Sequence, residues 1–227
     1  MTADPSTRKA LIFDFDGTLA TGRYDFSAMR EAVHAAARRY GVSEQALDGL
    51  QVLEAVEKAA QILTAADGGA VARFRAEAEH IILEVELAGA RESRLLAGVA
   101  EALASLRAAG YGVAVVTRNS RTAIQSIPGA TAIACDAFLT REEVRRVKPH
   151  PDHLTAALAM LKCDPRRAAM VGDHPMDIAA GKAVGATAIG VLTGAGTRET
   201  LAAAGADLIV QSVVELAEML VGEPQRP

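Results

Sequence analysis

Four aspartates, a threonine and a lysine carry the chemistry this sequence could perform. Asp14 and Asp16 flank Phe15 in the run DFDGTL at 14–19, Thr117 opens TRN at 117–119, and Lys148 opens KPHPD. Asp173 and Asp177 lie in GDHPMD at 172–177. Carboxylates drawn together in a low-dielectric cleft repel one another strongly and resist ionisation. A hard, oxygen-seeking cation resolves that conflict, and Mg2+ would keep water and substrate phosphate oxygens among its ligands. Taken singly, a DxD pair is a turn or cap device, Thr117 an N-cap and Lys148 a solvated charge. Only their gathering in one place makes a reaction centre.

The surrounding elements can gather them. The apolar run Ala10–Phe13 ends abruptly at Asp14 and reads as a buried parallel strand. A β-branched strand over Gly112–Val116 delivers Thr117, and a strand over Ala168–Val171 delivers Gly172 and Asp173. Lys148 precedes a helix over 151–162 with proline in its first turn. A helix over 99–109 stops at Gly110, and a short helix and a strand near 131–135 follow Asn119. Beyond Asp177 the pattern predicts helix 178–184, strand 186–192, helix 198–204, strand 207–210 and helix 213–220, with residues 222–227 frayed. Such alternation implies a Rossmann-like, doubly wound α/β core: a parallel sheet covered on both faces, with ligands at the carboxyl ends of its strands. Asp14, Thr117 and Asp173 all stand at such ends.

Residues from about Phe26 to Leu87 interrupt this pattern. Alanines, charges and spaced apolar residues continue without a β-branched run, which predicts several helices. Breaks fall near Gly41-Val42-Ser43, with Ser43 as a cap, and near 66–69. The organisation expected is a core from 1–20 and 93–227 with an all-helical insertion at 21–92.

Composition narrows the partners. Aromatics make up 4% of the chain, tryptophan is absent and the net charge is −4, so neither base stacking nor phosphate-backbone binding is provided for and nucleic acid is excluded. Cys135 and Cys163 are too few for a disulfide framework and read as buried small hydrophobes. The first ten residues hold no apolar leader, and no segment reaches the ~18 apolar residues of a membrane span. The expectation is a cytoplasmic protein with no membrane partner.

DFDGTL, TRN, Lys148 in KPHPD and GDHPMD resemble, in order and position, the four motifs of the haloacid dehalogenase superfamily. The resemblance covers residues 8–20 and 93–221. LLAGVAEALASLRAAGYGVAVVTRNS, KPHPD and VGDHPMDIAAGKAVGA are similar to the branch with a helical cap after the first motif, which includes phosphoglycolate phosphatases and β-phosphoglucomutases. It implies that Asp14 is a nucleophile forming an aspartyl-phosphate, a role for which an ionised carboxylate is suited. Asp16 would be general acid and base, and Thr117 and Lys148 would contact phosphoryl oxygens. The metal would be Mg2+, held by the carboxylates of Asp14 and Asp173 and the backbone carbonyl of Asp16. Gly17 would turn backbone N–H groups, with Thr18 beside it, towards the phosphate, and Asp177 would orient the metal shell. Arg118 divides between substrate contact and surface, while Asn119 and Ser120 cap the next helix. His150 and His174 read as helix-start or indirect residues. The family's usual proline is replaced by Ala97.

Asp16 selects among reactions. Dehalogenation needs no acid for its leaving group, so a carboxylate here points to phosphoester hydrolysis or phosphomutase chemistry. An idle module that binds Mg2+ and phosphate is the alternative of a different class. The substrate implied is a small phosphorylated metabolite, 2-phosphoglycolate first, with the insertion closing over the strand ends to exclude water. The glycines of GVLTGAGT at 190–197 lack dinucleotide-site spacing and read as a strand-to-loop turn.

Overall fold

The computed structural model describes residues 9–66 and 68–222. In chain order these form β1 (Ala10–Phe13), α1 (Phe26–Arg39), α2 (Val52–Ala66), α3 (Gly68–Glu92), α4 (Val99–Ala108), β2 (Gly112–Val116), α5 (Arg121–Gln125) and β3 (Ala137–Leu139). There follow α6 (Asp152–Leu161), β4 (Ala168–Gly172), α7 (Pro175–Val184), β5 (Thr187–Val191), α8 (Arg198–Ala203), β6 (Leu208–Val210) and α9 (Val213–Val221). Two compact units result, one from residues up to Gly22 together with Ser93 onward, the other from Arg23–Glu92.

The first unit is built on one parallel sheet in the order β3-β2-β1-β4-β5-β6. Its central strands β1, β2 and β4 are buried throughout, as a sheet covered on both faces requires. Side chains alternate along each strand. Ile12, Ala114, Val116, Leu139 and Met170 pack with Leu154, Ala157, Leu158 and Leu161 of α6 and with Ala180 of α7. Helix α4 packs on β2 and against α9. The chain winds one way from β1 through β2 to β3, then the other way from β4 to β6. The reversal falls between β1 and β4, and crevices for ligands open beyond the carboxyl ends of strands at such a point. The Asp14 N–H donates to the Val171 carbonyl at 2.8 Å, so the pairing runs right up to that rim.

The second unit is helical. Met29, Val33, Ala36 and Ala37 of α1, Ala55, Val56, Ala59 and Leu63 of α2, and Phe74, Ala78 and Ile82 of α3 form its core at helical spacing. Asp25 caps α1 by accepting from the Ala28 N–H at 2.9 Å, and Arg38 and Arg39 in its last turn oppose the helix dipole. Phe74 is fully buried, its ring 5.6 Å from that of Tyr40.

Two expectations are corrected. The strand expected near 131–135 lies instead at β3, after a 3-10 turn at Ala130–Ala132. The reason is Asp136, whose carboxylate accepts from the Val113 N–H at 2.9 Å and from Arg107 at 2.8 Å, so strand pairing begins only beyond it. Ser43 makes no side-chain cap bond; it precedes a 3-10 turn at Glu44–Ala46, and α2 starts later at Val52. The break expected at 66–69 falls between α2 and α3, with Asp67 outside the described residues, as are residues 223–227 of the tail. Among the described residues no helix is long and apolar enough to cross a membrane.

Phe74→Ala is expected to destabilise the helical unit by about 3–5 kcal/mol, the cost of emptying a large buried site. Circular dichroism melts of the two proteins would measure it, and a midpoint unchanged from wild type would contradict this account of the core.

Candidate active site

Lys148 organises the rim. Its side chain is 1% exposed, and the ammonium donates to Asp14 Oδ1 at 2.5 Å and to Asp177 Oδ1 at 2.8 Å. Asp14 extends β1 and Asp173 follows β4. Asp177 sits in the first turn of α7, where its Oδ2 accepts from the His174 N–H at 3.1 Å and closes a capping box. One carboxylate oxygen from each of Asp14, Asp173 and Asp177 lies within 4.8 Å of the others, all three residues being buried. Burial pushes the Asp14 carboxyl well above the usual carboxylate range; Lys148 opposes that, and Asp177, Asp173 and Asp16 reinforce it. Asp173 is raised by burial and by Asp177. Burial alone would depress Lys148, but the charges of Asp14 and Asp177 outweigh it and the ammonium is held more firmly than in water.

One lysine does not balance these carboxylates. The donors are all hard oxygens, close-set and buried, a set that suits a hard divalent cation. The residues present therefore fit a bound Mg2+, with Asp177 joining Asp14 and Asp173 in the acidic cluster.

The remaining predicted residues fall around this centre. Thr117, fully buried, turns its hydroxyl to Asp16 Oδ2 at 3.1 Å and accepts from the Asn119 N–H at 3.0 Å. Thr18 donates to Asp173 Oδ1 at 3.3 Å. Gly17 has φ +85°, and a Cβ there would stand 2.5 Å from Asp173 Oδ2, so both conformation and space demand glycine. Within this turn the Gly17 and Thr18 N–H groups donate to the carbonyls of Ala20 at 2.7 Å and Phe15 at 3.3 Å. Asn119 accepts from the Ser120 N–H, and Ser120 caps α5 by accepting from Ala123 at 3.2 Å. His174 is the N-cap of α7, and His150 accepts from the Asp152 N–H at 3.2 Å.

Three features escaped the sequence. Arg118 donates to the Lys148 carbonyl at 2.8 Å and lies 3.5 Å from Met176 Sδ, tying the 117–119, 148 and 172–177 segments together. His153 is fully buried in α6, and burial followed by the Lys148 charge lowers its pKa to about 4, so it is neutral at pH 7. The loop after β5 reaches the centre through Ala195, whose N–H donates to Asp173 Oδ2 at 2.8 Å. Its position at the carboxyl end of the strand beside β4 was the available signal.

A doubly wound parallel sheet with a buried acidic cluster and a lysine at its switch point is the arrangement of an α/β enzyme with its site at the carboxyl ends of the strands. A family model described as haloacid dehalogenase-like hydrolase matches residues 8–185, and the chain belongs to that family. It is 34% identical to the pyrophosphatase PpaX of Bacillus velezensis, over 52% of this chain and 56% of that protein. The chain thus spans about half the length of that relative. It is 31% identical to the N-acetylmuramic acid 6-phosphate phosphatase of Pseudomonas aeruginosa, over 93% of this chain and 94% of the relative. Among solved structures, a hydrolase from Pseudomonas syringae superposes with a TM-score of 0.67 at 19% identity, covering 94% of this chain and 98% of that one. That likeness concerns the fold.

The acidic cluster has a thermodynamic consequence. Asp14 and Asp173 titrate higher in the folded than in the unfolded chain, so without a cation stability falls as pH rises through their folded-state range. A bound dication would take the place of those protons. Mg2+ is expected to raise the melting midpoint clearly at about pH 7.5 and less at about pH 5, where protons compete. A midpoint indifferent to Mg2+ at every pH would remove the metal from this site.

Proposed function

We propose that this protein is a Mg2+-dependent phosphatase that hydrolyses a small phosphorylated metabolite through an aspartyl-phosphate on Asp14. The observation that carries the reading is the buried Lys148 ammonium shared by Asp14 and Asp177 beside Asp173 at the switch point. Beside the fixed Lys148 charge, and with a dication to offset the neighbouring carboxylates that raise its pKa, the Asp14 carboxylate would be ionised and suited to attack phosphorus.

Bound Mg2+, held by Asp14 and Asp173 with the Asp16 backbone carbonyl and Asp177 in support, would supply the positive charge that lets a phosphate dianion approach these carboxylates. An Asp14 carboxylate oxygen attacks phosphorus as the bond to the leaving alcohol breaks. Asp16, in its acid form, passes its proton to the departing alkoxide oxygen, which leaves as the alcohol. The Asp16 carboxylate then takes a proton from water; the water oxygen bonds to phosphorus, the Asp14–phosphorus bond breaks, and inorganic phosphate leaves. Thr117, donating to Asp16 Oδ2, orients this acid and base. Lys148 neutralises charge on Asp14 and on the transferring phosphoryl group.

On this reading the helical insertion carries substrate selection. The motifs favour 2-phosphoglycolate, and the relative that aligns over 94% of its length directs attention equally to N-acetylmuramic acid 6-phosphate. A panel of both compounds with other sugar phosphates, nucleotides and a phosphopeptide, assayed with Mg2+, is expected to rank a small metabolite first by kcat/KM. Release of inorganic phosphate, as opposed to an isomerised sugar phosphate, would separate hydrolysis from mutase activity. A phosphopeptide winning by a wide margin would overturn the small-substrate reading, and full activity after exhaustive chelation would overturn the metal.

Substitutions divide the labour between the two carboxylates. Asp14→Asn is expected to abolish turnover and any phosphoenzyme, since an amide is a poor nucleophile. Asp16→Asn is expected to slow turnover by ~10²–10⁴-fold on substrates with poor leaving groups while leaving Mg2+ affinity near wild type. Wild-type rates for Asp16→Asn on such a substrate would end its assignment as acid and base.

A further inference from the structure

The loop Thr193–Gly196 contains no ionisable side chain and lies outside all four motifs, yet it closes on Asp173. Ala195 donates its N–H to Asp173 Oδ2 at 2.8 Å, and Thr193 Oγ1 donates to the Gly17 carbonyl at 2.6 Å. From the opposite side Thr18 donates to Asp173 Oδ1 at 3.3 Å. Each carboxylate oxygen thus has its own donor, and the two donors come from segments far apart in sequence.

The glycines explain how the loop comes so close. A Cβ on Gly194 would fall within 3.0 Å of Asp173 Oδ2 and 2.8 Å from the Gly17 Cα, and one on Gly196 would fall within 3.0 Å of the Asp173 backbone carbonyl. Neither residue has a left-handed φ, so these positions demand glycine for space and not for backbone freedom. The backbones of Gly17 and Gly194, themselves close together, both lie against Asp173 Oδ2, which leaves the carboxylate little room to swing or rotate.

We propose that Thr193–Gly196 is a clamp that sets the metal preference of the site by fixing the orientation of Asp173; this rests on the reading of Asp173 as a metal ligand. Mg2+ demands near-octahedral geometry at ~2.0–2.1 Å, whereas Ca2+ accepts ~2.3–2.6 Å and tolerates carboxylates that shift between one and two bound oxygens. A carboxylate held by a donor on each oxygen presents a fixed direction and resists turning both oxygens to one ion. The clamp therefore favours the smaller, stricter cation. Loosening it should cost Mg2+ much more than Ca2+.

Two variants break the clamp by different means. Gly194→Ala drives a methyl group against the Asp173 carboxylate, while Thr193→Val removes only the bond to Gly17 and inserts nothing beside Asp173. Mg2+ and Ca2+ titrations by calorimetry on full-length wild type and variants, each checked for folding by circular dichroism, read the effect without turnover. The Mg2+ Kd is expected to rise by about 10–100-fold, the usual cost of losing a partner that orients a ligand, with a smaller rise for Ca2+. Thr193→Val keeps the test open if Gly194→Ala does not fold. Wild-type Mg2+ affinity in the folded variants, or equal weakening of both cations, would overturn the clamp alone. A wild-type protein that binds no Mg2+ would overturn the reading of Asp173 beneath it, and the clamp with it.

Discussion

A lysine ammonium almost wholly removed from water sets the terms for the rest of this molecule. Such a charge is costly unless it is paired, and here its partners are Asp14 and Asp177, carboxylates from opposite sides of the switch point. Neither carboxylate could be buried there without the lysine, nor the lysine without them. The sheet order, the length of β1 and the capping of α7 must all bring these three groups to one place. Arg118 extends the constraint by holding the carbonyl of the same lysine.

The same balance explains why the site calls for more than protein. Once Lys148 is shared, Asp173 is met by neutral donors, among them Thr18 and the Ala195 N–H. Hydrogen bonds to a buried carboxylate favour its charged form but do not cancel its charge. Asp14 and Asp173 remain shifted towards protonation. A site in this condition is built to receive positive charge, and the fold supplies it with oxygen donors only.

Much of this was legible in the chain. Apolar runs ending at Asp14, Val116 and Val171 announce strands, and a parallel sheet obliges their ends to share one rim, so the meeting of Asp14, Thr117 and Asp173 follows from local pattern. What escaped depends on contacts without local signature. Nothing in the run from Ala130 to Asp136 says that Asp136 will take the Val113 N–H and delay β3. Nothing in TGAGT says that its glycines face a carboxylate, because the partner is in another segment and the chemistry is a backbone N–H. Thr117 could be placed at the rim, but the side on which its hydroxyl would find a partner depends on Asp16, 101 residues away.

The two points where the helical unit leaves and re-enters the core are tied together. Ala20 and Leu95 form an antiparallel bridge, Thr21 accepts from and donates to Arg94, and the Leu96 N–H donates to the Leu19 carbonyl at 2.9 Å. The arrangement resembles the neck of a hairpin, closed within the core by hydrogen bonds that do not depend on what the chain does beyond it. Loop-closure entropy grows only slowly with the number of residues spliced between fixed ends. Such a neck makes the core a socket: segments of very different length and fold can be exchanged at Gly22–Ser93 over evolutionary time while the catalytic rim keeps its register.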